Sequence, residues 1–327
     1  MSDDQQPEEA ESVDDSDSPL TEQPTLPPQK ASDASVDEAT LPPRADGDVS
    51  GRDVDTVVSA APPATDWENV FTQRIADRHL GWMDIRSKLL HFSLINYAVP
   101  IDRLRPHIPE DRFEITPFQI GGQTCGLLSV VPFLDDDFHY ARLAPYPKFR
   151  FAQTNHRVYV IDRATGEHGV WFFGTTLGSW MVYCARTLWR IPWHYAKYDI
   201  DCHYDPDAGR YSRYRFDIKS NWCSGTAELK DTGESMPLLE GFESLEQQKL
   251  VLTHPVEGFF YRLNGSLGTY SVWHEEIPLT TATGRDLYFS LYETLGILSR
   301  DEMAQPHSVL LCPETLFEVH LPPRRVR

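Results

Sequence analysis

The stretch QTNHRVYVI, residues 153–161, alternates between two kinds of side chain and predicts a β-strand with two different faces. One face carries a polar row that ends in an isoleucine, and its members are Gln153, Asn155, Arg157, Tyr159 and Ile161. The other face is more apolar and presents Ala152, Thr154, His156, Val158 and Val160. The pattern leaves two interpretations open: the polar row either lines an interior cavity or meets solvent while the two valines form the core. In a cavity, Arg157 would offer a planar guanidinium to a carboxylate, which Asn155 and Tyr159 would orient.

Strand patterns continue on both sides of this stretch. Most of the chain from about residue 83 to residue 230 shows period-two alternation or short apolar runs, with a hairpin signal at Gly121-Gly122. The longer helical patterns are Trp67 to about Arg78, Ser179 to about Arg190, Glu243–Thr253 and Arg285–Leu298. This order predicts a β-rich α+β domain, in which a curled sheet or barrel has a packed interior or encloses a pocket.

The N-terminal region differs sharply from the rest of the chain. Residues 1–66 contain 17 Asp and Glu against three basic residues, a net charge of −14, and they contain no Phe, Trp or Tyr. Such a segment cannot bury enough apolar surface to offset its ordering entropy, so we predict a disordered acidic tail over residues 1–66 and a single domain over residues 67–327. The whole chain carries −19, which leaves only −5 for the domain.

Composition also argues against several classes of protein. The domain has no basic block, so we expect no nucleic-acid partner. We find neither a signal peptide nor an apolar run of about 20 residues, and therefore expect a soluble, cytoplasmic protein without a membrane partner. The five cysteines are scattered and are expected to be free thiols. No spacing indicates a metal site or a cofactor, and Asp135-Asp136-Asp137 is expected to be a solvated loop.

Seven short segments between about residues 80 and 326 resemble a known family in their order and spacing. They are PIDRLRPHIP (Pro100–Pro109), GLLSVVPF (Gly126–Phe133), NHRVYV (Asn155–Val160), GVWFF (Gly169–Phe173), ARTLWRIPWHYA (Ala185–Ala196), HEEIPL (His274–Leu279) and the pair His307-Ser308. The sequence thus resembles the domain-of-unknown-function 2071 family, which belongs to the acetoacetate decarboxylase-like superfamily. This resemblance implies a mixed β-barrel with a few flanking helices and an interior cavity. It implies no settled activity, since fold and function are separable.

The decarboxylases of that superfamily use a Schiff-base lysine whose pKa is lowered by an adjacent lysine. In them the lysine pair follows a proline, just after a helix that contains an arginine. Here Arg186 and Pro192 match, but Trp193 and His194 stand where the lysines would be, and neither forms an imine. The nearest lysine, Lys197, lies on a face predicted to meet solvent. The sequence therefore argues against a Schiff-base decarboxylase.

Two further residues are candidates for the site. Arg186 would provide a second cation for the ligand, or else be a surface arginine whose stem packs on aromatic neighbours. His194 would act as an acid or base near neutral pH, or else be a hydrogen-bonded core residue.

Three functional hypotheses follow from these residues. In the first, the barrel binds a small carboxylate or carbonyl compound, with cofactor-free lyase, isomerase or hydrolase chemistry at His194. In the second, the same pocket belongs to a non-catalytic sensor or carrier. In the third, the chain is a scaffold whose acidic tail contacts a basic partner. A homo-oligomer is compatible with all three.

Overall fold

The computed structural model of the chain describes residues 66–142, 146–255 and 257–326, so the predicted tail lies outside the described residues except for Asp66. The side chain of Asp66 accepts a hydrogen bond from the Asn69 amide at 3.1 Å and caps the first helix. The helices are short and have the bounds α1 Trp67–Ala76, α2 Ile101–Leu104, α3 Met181–Trp189, α4 Leu245–Thr253, α5 Ser290–Thr294 and α6 Arg300–Met303, with a 3-10 turn at Arg105–His107.

Strands dominate the described residues. The first eight are β1 Ile85–Pro100, β2 Phe113–Ile115, β3 Phe118–Ile120, β4 Gln123–Tyr140, β5 Phe149–Asp162, β6 His168–Leu177, β7 Trp193–Tyr195 and β8 Lys197–Asp205. The second eight are β9 Arg210–Lys219, β10 Gly225–Ser235, β11 Gly258–Tyr261, β12 Leu267–Tyr270, β13 Val272–His274, β14 Thr280–Phe289, β15 Ser308–Val319 and β16 Arg324–Arg325. The predicted β-rich α+β class is confirmed.

All these strands belong to one sheet. Its order is β16-β12-β11-β6-β5-β4-β1-β15-β14-β10-β9-β8, with β13 beside β15, β2 beside β5, β3 beside β4 and β7 beside β6. Among the described residues the two end strands, β16 and β8, do not pair with each other, so the sheet is not closed by hydrogen bonds between its ends.

Two changes of partner nevertheless curl the sheet around two interiors. Strand β12 pairs with β11, whereas β13, which follows it after Ser271, pairs with β15. Strand β7 pairs with β6, whereas β8, which follows it after Ala196, pairs with β9. Strands β5, β4 and β1 lie between the two partners in both cases and have an interior on each face.

Strand β5 separates the two interiors, and its predicted alternation is confirmed. On one face Val158 and Val160 belong to a large apolar core that includes Tyr214 and Phe289. On the other face Tyr159 belongs to a second apolar cluster, and Gln153, Asn155 and Arg157 border a cavity described below.

Two expectations from the sequence are wrong. The predicted helix Arg285–Leu298 begins as strand: β14 continues to Phe289, and a helix starts only at Ser290. Pairing with β10 and the burial of alternate residues Leu287 and Phe289 outweigh the local helical pattern. The acidic run Asp135–Asp137 is not a loop but part of β4.

The segment after α1 is joined to the sheet by a buried ion cluster. Glu318 on β15 has no exposed surface and pairs with Arg78 at 2.6 Å and with Arg86 at 2.9 Å. The Arg78 guanidinium also lies 4.3 Å from the centre of the Trp273 ring. Two guanidinium groups thus compensate the carboxylate that β15 buries.

Candidate functional site

A cavity of about 530 Å³ lies in the interior on the Tyr159 side of β5. Its walls come from the helix α3 and from the strands β1, β4, β5, β6, β7, β11, β12, β13 and β15. Most of the lining is aliphatic or aromatic, with few polar groups. A concave apolar site of this size with a few convergent polar side chains is the usual form of a small-molecule site.

The polar row predicted on β5 borders this cavity at three positions. Gln153, Asn155 and Arg157 all line it. Asn155 is held in place because its Oδ1 accepts hydrogen bonds from Gln153 Nε2 at 3.0 Å and from Thr175 Oγ1 at 2.8 Å. The interpretation that this row faces solvent is therefore wrong, although ligand binding by these residues stays a prediction.

Arg157 is the cation of the cavity and is held by the end of helix α4. Only 9% of the residue is exposed, and its Nη2 donates a hydrogen bond to the Leu252 carbonyl at 3.0 Å. Its Nε finds no hydrogen-bond partner among the described residues. The carboxyl end of a helix attracts cations, so α4 stabilises the guanidinium at the cavity wall.

Tyr159, the next member of the row, supports the arginine from behind. Its hydroxyl donates to the same Leu252 carbonyl at 3.2 Å, and its ring centre lies 5.5 Å from the Arg157 guanidinium carbon. It does not belong to the described cavity lining. The structure thus gives Tyr159 a positioning contact with Arg157.

A second polar group, Asp135 on β4, was not expected in the site. It is buried and lines the cavity, and its Oδ1 lies 2.7 Å from Ser87 Oγ on β1. Its Oδ2 finds no hydrogen-bond partner among the described residues. Burial raises the pKa of Asp135 to about 7, although the hydrogen bond from Ser87 acts in the opposite direction. The signal in the sequence was the continuation of the strand GLLSVVPF, which puts Asp135 on the same face as Phe133.

The other two candidates lie outside the cavity. His194 stacks on Trp222 with ring centres 4.3 Å apart, and its neighbour Trp193, on the opposite face of β7, is the residue that lines the cavity. Burial, helped by the nearby positive charge of Arg186, lowers the pKa of His194 to about 3. Arg186 donates from Nη1 to the Trp193 carbonyl at 2.8 Å and is not part of the lining. Arg157, Arg186 and His194 therefore do not converge on one cavity.

The mouth of the cavity is bordered by exposed apolar side chains. Trp180 and Leu188, at the two ends of α3, are 61% and 70% exposed, and Tyr146 before β5 is 73% exposed. Cys184, an exposed free thiol, also lines the cavity on the α3 side. An apolar rim favours entry of a ligand with an apolar body.

No cluster of three or more His, Cys, Asp or Glu side chains has the arrangement of a metal site in the part of the chain that the structure describes. No helix within that part is long and apolar enough to cross a membrane.

Comparison with known proteins identifies one family. A family model, DUF2071, described as an uncharacterized conserved protein, matches residues 86–315. No curated protein matches the chain by sequence.

Several solved structures share the fold. The enduracididine biosynthesis enzyme MppR, solved with pyruvate, aligns at 12% identity and a TM-score of 0.50, covering 76% of this chain and 92% of MppR. An acetoacetate decarboxylase from Legionella pneumophila subsp. pneumophila strain Philadelphia 1 aligns at 14% identity and a TM-score of 0.45, covering 85% and 98% of the two chains. An acetoacetate decarboxylase-like enzyme from Sphingomonas wittichii RW1 aligns at 9% identity and a TM-score of 0.49, covering 76% and 94%. At these identities the similarity concerns the fold, which is acetoacetate decarboxylase-like as the resemblance implied.

Proposed function

This chain belongs to the domain-of-unknown-function 2071 family of uncharacterized conserved proteins, and we propose that it binds a small carboxylate or carbonyl compound in its interior cavity without Schiff-base chemistry. Arg157 is the anion-binding group in this proposal, and Asn155 and Gln153 orient the ligand beside it. The pyruvate in the MppR structure, itself a small carboxylate, supports this class of ligand.

The observation that carries the proposal is the environment of Arg157. A guanidinium that is nine-tenths buried in an apolar wall loses most of its hydration, and one carbonyl, that of Leu252, replaces only part of it. The remaining N–H donors can be satisfied by a carboxylate, which accepts two parallel hydrogen bonds from the planar group. A carboxylate ligand would compensate both the charge and the lost hydrogen bonds.

The absence of lysine from the described cavity lining supports the exclusion of imine chemistry. Lys148 follows two lining residues, Tyr146 and Pro147, but its Nζ pairs with Asp137 at 2.6 Å. Trp193 lines the cavity directly after Pro192, where the superfamily resemblance implies a lysine. A carbonyl ligand would therefore be held by hydrogen bonds.

The proposal is tested by replacing the guanidinium with an uncharged polar group. The probe is decanoate, a carboxylate with an apolar body. At about 100 times its Kd, decanoate should stabilise the protein by about 2.7 kcal/mol, which raises the Tm by roughly 5–10 °C. In Arg157→Gln we expect the decanoate affinity to fall roughly 10- to 100-fold, because hydrogen bonds to charged groups contribute about 1.5–3 kcal/mol.

A matched control lies on the same strand. The side chain of Arg150 on β5 is 63% exposed and is not part of the cavity lining, so Arg150→Gln should retain the decanoate shift. An equal shift in wild type and Arg157→Gln would remove Arg157 from the binding site and contradict the proposal.

A non-catalytic carrier or sensor that uses the same cavity is the second candidate function. The position of His194 favours it, because the candidate acid or base stacks on Trp222 and does not line the cavity. Incubating the purified protein with decanoate or pyruvate and following the mixture by NMR tests this hypothesis. Conversion of either compound would decide for an enzyme.

A further inference from the structure

We infer from two polar groups in the cavity wall that its ligand is a monocarboxylate with an extended apolar body, bound by Arg157 and reaching a protonated Asp135 further along the cavity. This inference rests on the proposed function and adds the length and the charge of the ligand.

The distance between Asp135 and Arg157 follows from the pairing of β4 with β5. Asp135 lies opposite Phe151, whereas Arg157 lies opposite Ser129, six positions further along β5. At about 3.3 Å per residue, the two positions are separated by up to about 20 Å along the strands. A three- or four-carbon acid bound at Arg157 would leave the Asp135 end of the cavity empty, whereas an extended molecule would occupy both ends.

The wall between these ends suits an apolar body. It is lined by aliphatic and aromatic side chains, among them Leu89, Phe133, Phe149, Phe172, Trp193 and Phe317. Burial of one methylene group in such surroundings improves binding about fourfold. The lining therefore favours long ligands over short ones that use the same carboxylate contact.

The described lining near Asp135 has no lysine or arginine to pair with a second carboxylate. The basic side chains nearest in sequence are engaged outside: Lys88 with Glu314, Lys148 with Asp137 and Arg150 with Asp136. The titratable side chains in the described lining besides Asp135 are His139 and Tyr140 on β4, Tyr146, Arg157 on β5, Cys184 on α3 and Tyr270 on β12. The lining residues from β1 and β15 carry no charge, so Arg157 is the permanent charge of the described lining.

The surroundings of Asp135 favour a neutral carboxylic acid. Ser87 Oγ donates to Asp135 Oδ1 at 2.7 Å, and Oδ2 is buried without a hydrogen-bond partner among the described residues. When Asp135 is protonated on Oδ2, the hydrogen bond from Ser87 to Oδ1 is kept and no buried charge is left uncompensated. The ionised form would have no charged partner among the described residues, in agreement with a pKa raised by burial to about 7.

Isothermal titration with three probes tests the ligand class. At pH 6 we expect decanoate to bind wild type at least 100-fold more tightly than butyrate and at least tenfold more tightly than decanedioate. Equal affinities for decanoate and butyrate, or for decanoate and decanedioate, would overturn the inference. No binding of any of the three, or unchanged decanoate binding in Arg157→Gln, would instead contradict the proposed function itself.

The pH dependence of decanoate binding tests the role of Asp135. Between pH 6 and pH 8 the protonated fraction falls about tenfold, so the wild-type Kd should rise about tenfold while Asp135→Asn stays constant. His139→Gln is the control and should keep the wild-type pH dependence. A pH effect that persists in Asp135→Asn and disappears in His139→Gln would assign the titration to His139 and overturn the inference.

Should Asp135→Asn not fold, a direct measurement on wild type replaces it. Carboxyl carbon chemical shifts of protein labelled with ¹³C-aspartate report the ionisation of Asp135 in the decanoate complex, with Ser87→Ala serving to assign the signal. An ionised Asp135 in the complex at pH 6 would equally overturn the inference.

Discussion

At the scale of single residues, burial makes three consecutive aspartates chemically different. Asp135 points into the cavity, and its pKa is raised by burial to about 7. Asp137 pairs with Lys148 at 2.6 Å, and the hydrogen bond from that lysine lowers its pKa. The sequence presents three equal carboxylates, so only the continuation of β4 past Phe133 decides which one turns inward. A neutral acid in the site was not predictable from the acidic run itself.

The raised pKa of Asp135 also has a consequence for stability. The folded protein keeps this proton up to about pH 7, whereas the unfolded chain releases it near pH 3.9. The unfolded state therefore binds fewer protons in this window, and stability falls as the pH rises through it. Relative to Asp135→Asn, we expect wild type to lose on the order of 2–4 kcal/mol of unfolding free energy between pH 4.5 and pH 7.

Urea unfolding at pH 4.5 and pH 7 measures this difference. Asp136→Asn is the matched control, because the side chain of Asp136 is 35% exposed and lies near Arg150 rather than in the cavity lining. If wild type and Asp135→Asn lose stability in parallel over this range, Asp135 is ionised in the folded protein and the prediction is wrong.

At the scale of elements, the local sequence pattern predicts a strand, but it does not predict which residues the side chains of that strand contact. The period-two alternation in residues 153–161 is enough to predict which side chains of β5 share a face. The contact that fixes Arg157 comes from Leu252, 95 positions away at the end of α4, and no local pattern indicates it. The same limit explains the error at Arg285–Leu298, where pairing with β10 decides the structure.

The close approach of β11 to β6 gives a test at this scale. Gly258 lies opposite Val170 and lines the cavity, and a Cβ at this position would come within 2.3 Å of Phe172 Cε2. Gly258→Ala should therefore force Phe172 toward the cavity and cost about 1–3 kcal/mol of unfolding free energy. Decanoate binding should weaken as well, since Phe172 is part of the wall.

A second substitution provides the control for that prediction. Adding Phe172→Leu to Gly258→Ala relieves the clash, so the double variant should regain most of the stability lost by Gly258→Ala, as measured by thermal unfolding. Additive losses in the double variant would mean that the clash with Phe172 is not the cause.

At the scale of the whole molecule, the β-rich class was predictable because strand patterns and seven short segments follow one another over most of the chain. The resemblance to the family implied a cavity, and the polar row of β5 was one candidate for its wall. The change of partner at Ser271 was not predictable, because a one-residue break between β12 and β13 has no distinct sequence signal. This break lets the same segment contact β11 and β15 and so completes the wall around the cavity.

The predicted N-terminal boundary of the domain is also tested at the scale of the whole molecule. Removing residues 1–65 retains the Asp66 cap of α1 and should change the unfolding free energy by no more than about 0.5 kcal/mol. Removing residues 1–80 also deletes Arg78 and leaves Arg86 as the remaining ion-pair partner of the buried Glu318 among the described residues. The lost hydrogen bonds to this carboxylate should cost about 1.5–3 kcal/mol. Arg78→Met separates this ion pair from the loss of α1 and should account for most of that cost. Urea unfolding followed by tryptophan fluorescence compares the variants. A large loss on removing residues 1–65 alone would mean that the predicted tail is part of the folded domain.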